Sequence, residues 1–182
     1  MLTTAEPVAA GPLLLRALRP DDLDDLVALH ADPDVVRYLP WPDRDREQVR
    51  RELDEQRART ALAADGDVVT WAVERDGGFA GLGVLFLRST AHRQAEVGYV
   101  VAPAVQRSGV GSALARALVD LAVDRLGAHR VAARVDVRNT ASRRLLAGLG
   151  FREEGVLRED AHLRGRWVDT AVCAVLAREW RG

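Results

Sequence analysis

The stretch Val100-Val101-Ala102-Pro103-Ala104-Val105-Gln106-Arg107-Ser108-Gly109-Val110-Gly111-Ser112 decides how this chain is read. An apolar strand stops at Pro103, a short loop of small and polar residues follows, and a helix begins near Val110. The first turn of a helix leaves backbone N–H groups without partners and carries partial positive charge. Glycines there let a phosphate approach the backbone, so the arrangement suits a pyrophosphate; close packing of helix on sheet explains them equally well. The loop lacks the Gly-Lys-Ser/Thr of a nucleotide P-loop. It has two glycines where a dinucleotide fingerprint needs three, and no ribose-binding acid is evident downstream.

Working outward, Glu96–Val101 is the strand that enters the loop. Before it, Val68–Glu74 and Phe79–Leu87 alternate as strands joined through Asp76-Gly77-Gly78, a hairpin signal. After it, Val110–Leu126 carries Val110, Leu114, Leu118 and Leu121 on one face, with Gly127 placed as a cap. Arg130–Val137 alternates, Thr140–Leu149 is a short helix ending at Gly150, and Phe151–Leu157 and Trp167–Leu176 are closing strands with Arg164-Gly165 in their turn. Nearer the start, Leu13–Leu18 reads as a strand and Asp21–His30 as a helix with an acidic first turn. Pro33, Pro40 and Pro42 then break the chain, and Arg44–Leu62 is a charged helix anchored by Val49 and Leu53. The order predicts a mixed α/β sheet around a strand–helix–strand core. Residues 1–12 are expected to be an N-terminal extension and residues 13–180 one domain.

Composition bounds the function. The chain has 182 residues, 48% of them hydrophobic, enough for one well-buried core. A formal charge of -1 gives no long-range pull toward nucleic acid or anionic lipid. The first residues lack the basic and apolar regions of a signal peptide, and no apolar run approaches the ~20 residues of a membrane span. The expectation is a cytoplasmic protein without nucleic-acid or membrane partners. Cys173 is the only cysteine, which excludes an internal disulfide, and His30, His92, His129 and His162 show no ligand spacing, so no metal is expected. All 26 basic side chains are arginine, as a base-composition bias of the genome would produce.

Gln106-Arg107-Ser108-Gly109-Val110-Gly111 resembles the acetyl-CoA pyrophosphate signature of the GNAT superfamily, Gln/Arg-x-x-Gly-x-Gly/Ala. Tyr38-Leu39-Pro40-Trp41, Glu96-Val97-Gly98-Tyr99, Asn139-Thr140-Ala141-Ser142, Gly148-Leu149-Gly150-Phe151, Gly155 and Gly165-Arg166-Trp167-Val168-Asp169 resemble its RimJ/RimL-like branch, in register from about Leu13 to Trp180. The resemblance implies a mostly antiparallel sheet of about seven strands flanked by helices and splayed between the strands at 96–101 and 130–137.

The resemblance also implies transfer of acetyl from acetyl-CoA to a primary amine, by direct attack in a ternary complex. Backbone amides of Gln106, Arg107, Ser108, Gly109, Val110, Gly111 and Ser112 would hold the pyrophosphate. Tyr99, Val100 and Val101 would pair with the pantetheine arm as an added strand does, and a backbone N–H there would polarise the thioester carbonyl. Asn139 would bond the pantetheine, and Ser142 would protonate the departing thiolate, although both residues also suit a helix start. Glu96 is the candidate general base, against a plain surface ion pair. Glu159 and Asp160 match the family too loosely to be assigned. Tyr38 and Trp41 are the candidate acceptor-binding residues, with Trp71 and Trp167 as further aromatics that would line a pocket or pack. The acceptor implied is a protein or peptide α-amine. A small-molecule amine (amino sugar, polyamine or amino-acid derivative) and a non-catalytic CoA-binding module remain open alternatives, and a homodimer is plausible by the same resemblance.

Overall fold

The computed structural model describes residues 2–181. Eight strands form the main sheet: β2 (Val8–Ala10), β3 (Leu13–Ala17), β5 (Val68–Arg75), β6 (Gly78–Ser89), β7 (Gln94–Val101), β8 (Arg130–Asp136), β10 (Arg166–Leu176) and β9 (Arg152–Leu163), in that spatial order. Two short strands, β1 (Leu2–Thr3) and β4 (Ala61–Leu62), pair apart from it. Every neighbouring pair of the main sheet is antiparallel except β7–β8. The helices are α1 (Leu23–Ala31), α2 (Pro33–Val36), α3 (Arg46–Ala58), α4 (Val110–Asp120) and α5 (Thr140–Gly148). Among the described residues no helix is long and apolar enough to cross a membrane.

The two faces of the sheet bury different helices. Val69, Trp71, Val73 and Leu85 meet Val110, Leu114 and Leu118 of α4 on one face. Ala72, Leu82 and Val100 meet Leu26 and Leu29 of α1 and Val49 and Leu53 of α3 on the other. Alternation along the strands therefore sorts side chains between two helical layers.

Several boundaries differ from the sequence expectation. The sheet has eight strands because Val8–Ala10, expected in an extension, pairs with Leu13–Leu15. Gly11 is left-handed at φ 59, and Pro12 holds its own φ negative, a two-residue turn that suits a hairpin. The charged helix is shorter than Arg44–Leu62 because Asp45 and Gln48 form a reciprocal cap at its start, and the chain after Ala58 leaves to form β4. After Asp120 helix α4 continues as a π-helical turn over Leu121–Arg125, and left-handed Gly127 follows. Strand β9 runs to Leu163 instead of Leu157, up to the Arg164-Gly165 turn, where both residues have positive φ. Arg16 on β3 is buried and bonds Asp22 Oδ1 at 2.6 Å, fixing the chain reversal into α1; this hydrogen bond holds its guanidinium well above the ordinary arginine range despite burial.

Candidate active site

The splay lies where the site needs it. Strand β7 pairs with β6 from Gln94 to Val101, but with β8 only through Gln94, Ala95 and Glu96. Beyond Glu96 the two strands part, so the β8-facing backbone edge of Val97–Val101 is left without a strand partner. An unpaired edge of this kind is a template for an extended chain bearing amide groups.

At the open end of β7 the chain turns into α4. Arg107 is left-handed at φ 59, and Gly109, the N-cap of α4, is left-handed at φ 84. Left-handed residues ahead of a helix turn successive N–H groups toward one side, giving an anion-binding concavity that the free amides of the first helical turn complete. A Cβ added to Gly109 would meet nothing within 4 Å, so the space in front of the helix is open. Gly111 differs, because its added Cβ would lie 3.0 Å from Leu145 Cδ1 and 3.5 Å from Val101 Cγ2. This second glycine lets α4 pack close to α5 and β7. The loop is braced by Ser108 Oγ, which donates to Val105 O at 2.6 Å and accepts from Arg75 Nη1 at 2.7 Å, and by Gln106 Nε2, which donates to Val101 O at 3.2 Å.

A cavity of about 440 Å3 joins these parts. Its walls are Tyr99, Val100 and Val101 of β7, Gln106, Arg107 and Gly109 of the loop, Gly111 and Ser112 of α4, and Asn139 and Ser142 at the start of α5, with Tyr38 and Leu39 closing it from the side of α2. Inside it the Tyr99 and Ser142 hydroxyls are 3.1 Å apart, a hydrogen bond in which either can donate. Burial pushes the Tyr99 phenol above its ordinary pKa, so it keeps its proton through neutral and mildly alkaline pH. Asn139 Oδ1 accepts from Ser142 N at 3.1 Å, so Asn139 caps α5 while its amide NH2 stays available to the cavity.

The family model for the Acetyltransferase (GNAT) domain matches residues 12–152. The chain belongs to the GNAT acetyltransferases. It is 30% identical over 166 residues to the N-acetyltransferase YoaA of Bacillus subtilis (strain 168), covering 90% of this chain and 93% of that protein. Among solved structures, spermidine N-acetyltransferase from Vibrio cholerae in complex with CoA and spermine superposes with a TM-score of 0.80 at 25% identity, covering 92% of this chain and 97% of that one. RimL, the ribosomal L7/L12 alpha-N-protein acetyltransferase in complex with coenzyme A, superposes with a TM-score of 0.79 over 94% of this chain and 98% of its own, and at 20% identity that likeness is one of fold. The protein is an acetyl-CoA-dependent N-acetyltransferase of the GNAT type, and its partners in the reaction are acetyl-CoA and an amine.

The GNAT residues expected from sequence divide into two groups. Tyr99, Val100, Val101, Gln106, Arg107, Gly109, Gly111, Ser112, Asn139, Ser142 and Tyr38 share the cavity. Ser108 and Val110 do not line it: the Ser108 hydroxyl braces the loop, and the Val110 side chain is in the core. Their backbone amides alone remain for a pyrophosphate. The open space before Gly109 and the unpaired edge of β7 fit the two ends of an acetyl-CoA molecule, one polyanionic and one an extended amide chain.

Trp41 lies outside the cavity and stacks on His30 with ring centroids 4.4 Å apart. Trp71 is fully buried in the core, whereas Trp167 is 62% exposed beside His162, so neither serves as a pocket wall. Cys173 is buried, which also pushes its thiol up, in keeping with a small apolar packing role. Asp160 is bound by Arg134 Nη2 at 2.6 Å. Glu96 faces away from Tyr99 and accepts from Arg88 Nε at 3.0 Å, with its side chain 14% exposed. It is not among the lining residues of the cavity, so the structure does not bring it to the Tyr99–Ser142 pair. We expect Glu96→Gln to lower kcat by less than about threefold. A loss of about a hundredfold, with disappearance of the acid limb of the pH–rate profile, would restore it as the base.

The Tyr99 hydroxyl, placed beside Ser142 in the cavity, is the group that sequence reasoning missed. From the sequence alone Tyr99 is a backbone contact only. The signal was present: Tyr99 alternates in phase with Ala95, Val97 and Val101, and those residues face the layer that holds α5.

Proposed function

We propose that the protein acetylates α-amines, with Tyr99 and Ser142 returning a proton to the CoA sulfur. The observation that carries this reading is the cavity in which the hydroxyl pair, the opened edge of β7 and the start of α4 meet. Acetyl-CoA supplies the activated acetyl group. Backbone N–H groups of the loop and of α4 bind its phosphates, and the edge of β7 orients its amide arm. A backbone N–H near Val100 or Val101 stabilises negative charge on the thioester oxygen. A cysteine thiol has an ordinary pKa of about 8.5 and a phenol about 10, and the burial that raises the Tyr99 phenol raises a thiol beside it as well, so proton return from a tyrosine is far less uphill than from a serine. An alkyl hydroxyl is a much weaker acid, so Ser142 acts best as a relay that Tyr99 refills, and the proton that the acceptor nitrogen sheds as the amide forms passes through water to restore Tyr99.

The choice of an α-amine rests on what the cavity wall lacks. Its one carboxylate is Asp34, which is paired with Arg37. Without a free carboxylate to take a proton from an ammonium, the acceptor must bring its amine largely neutral. An α-amine, with a pKa of about 7.7–8.0, does so near neutral pH, whereas only about one lysine side chain in a thousand is neutral there. Peptides with a free N-terminus should therefore be acetylated in preference to the same peptides with a blocked N-terminus and an internal lysine. The check is CoA release between about pH 6.5 and 9, where α-amines titrate, with mass spectrometry to locate the acetyl group. Preferential labelling of lysine would overturn the α-amine reading. Inertness of both peptides, with turnover of a small amine of similar pKa, would move the acceptor to that class.

A further inference from the structure

Tyr38 lines a second cavity as well, of about 520 Å3, so the two spaces meet at its ring. This second space lies between α1, α2, the chain before α3, the β9–β10 turn and Arg138, the residue just ahead of the α5 cap. Its wall carries four guanidinium groups, Arg37, Arg138, Arg164 and Arg166, and one carboxylate, Asp43. Three of the four have fixed partners. Arg37 pairs with Asp34. Arg164 Nη1 donates to Val36 O at 2.7 Å and Nη2 to Trp41 O at 3.2 Å, with Asp43 Oδ1 3.7 Å away. Arg138 Nε donates to Asp136 Oδ1 at 2.9 Å, and Nη2 bonds the same carboxylate, whose side chain is 2% exposed. The Nη1 edge of Arg138 is not used in that pair. Arg166 is exposed and takes part in no ion pair or side-chain hydrogen bond among the described residues.

Four cations therefore stand against three carboxylates, with the surplus at Arg166. Arg37 and Arg138, each paired with a carboxylate, flank the junction of the two spaces, their guanidinium carbons each 5.9 Å from the centre of the Tyr38 ring. On the same wall His30 has a buried Nδ1 with no hydrogen-bond partner, the kind of group that a ligand or water must satisfy. Burial, with Arg44 nearby, pushes the His30 pKa down, so it is neutral at pH 7 and the guanidiniums supply the positive charge. A polycationic acceptor would enter against this field, whereas an acidic one would be drawn in. Arginine forks match the geometry of a carboxylate.

We propose that the acceptor carries a carboxylate close to its amine, and that Arg166 with the free edge of Arg138 holds that carboxylate while the amine passes Tyr38. This rests on the α-amine reading and narrows it to acidic acceptors: a peptide whose N-terminal residue is, or is followed by, Asp or Glu. The test is calorimetric titration of the CoA-saturated protein with matched acid and amide ligands. One pair is a C-terminally amidated Ser-Asp-Asp-Ala peptide and its Ser-Asn-Asn-Ala counterpart; the other is a C-terminally amidated Asp-Ser-Ser-Ala peptide and its Asn-Ser-Ser-Ala counterpart. A linear tetra-amine serves as the cationic probe. In at least one pair the acid should bind about tenfold or more tightly than the amide, and the tetra-amine should bind worst. The pair that shows the preference identifies the source of the carboxylate. The preference should vanish in Arg166→Gln, persist in part in Arg166→Lys and reverse in Arg166→Glu. Because Arg166 has no ion-pair partner among the described residues, these variants should melt with the wild type. Equal affinity for acid and amide in both pairs, tighter binding of the tetra-amine, or a preference unchanged in Arg166→Gln would overturn the proposal. Tight binding of an acid that is not acetylated, while other α-amines still release CoA from acetyl-CoA, would overturn this proposal and leave the α-amine reading standing.

Discussion

Removing both hydroxyls, in the pair Tyr99→Phe and Ser142→Ala, should lower kcat by roughly 10²–10⁴ while the affinity for acetyl-CoA changes little. The two oxygens are 3.1 Å apart, so each single variant also interrupts the relay. If Tyr99 is the proton source, Tyr99→Phe alone should cost nearly as much as the double variant, because serine cannot give a proton to a thiolate and stay charged. Ser142→Ala alone should cost less wherever a water can take its place. Non-additivity of this kind is what groups acting as one unit produce. The measurement is a pre-steady-state acetyl-transfer rate for the four proteins, with calorimetric binding of CoA as the control. A double variant that keeps full activity would remove both hydroxyls from the chemistry. A loss confined to CoA affinity would make them binding groups.

The second large effect belongs to the two glycines at the start of α4, and it should separate them. Gly109→Val should raise the Kd for CoA at least about a hundredfold, equivalent to about 2.7 kcal/mol, in a protein that still folds. Its side chain would stand in the open space before the helix, on a backbone at φ 84 that a β-branched residue resists. Gly111→Val should weaken CoA binding too, but it should also lower the melting temperature, because its Cβ would press on Leu145 and its branches on Val101. A Gly111→Val protein that melts with the wild type would contradict the packing role of Gly111. Unchanged CoA affinity in Gly109→Val would remove the loop from phosphate binding.

The strand, loop and helix around Gly109 were legible because each depends on local chemistry: Pro103 cannot continue a strand, and glycine alone is at ease left-handed. The splay after Glu96 and the gathering of Asn139, Ser142 and the loop came from family resemblance, since neither is written in periodicity. The strand at Val8–Ala10 was missed because three residues give too little alternation to stand out.

By itself the sequence determined the order of the main elements from Leu13 onward, the alternation of apolar side chains along the strands, the glycine-bearing loop that starts α4 and the family to which the chain belongs. Those follow from short-range rules of backbone sterics and periodicity, and from motifs held in register along nearly the whole chain. Only the tertiary structure decided which polar groups meet. It turned Tyr99 from a backbone contact into the partner of Ser142, across 43 positions of sequence. It sent Glu96 to Arg88 and away from the cavity, and it brought Arg138 and Arg166 to one wall with Arg37. Side-chain encounters of this kind depend on strand register, on the length of β9 and on the point at which β7 and β8 separate, and a shift of one residue in a strand would turn each side chain to the opposite face.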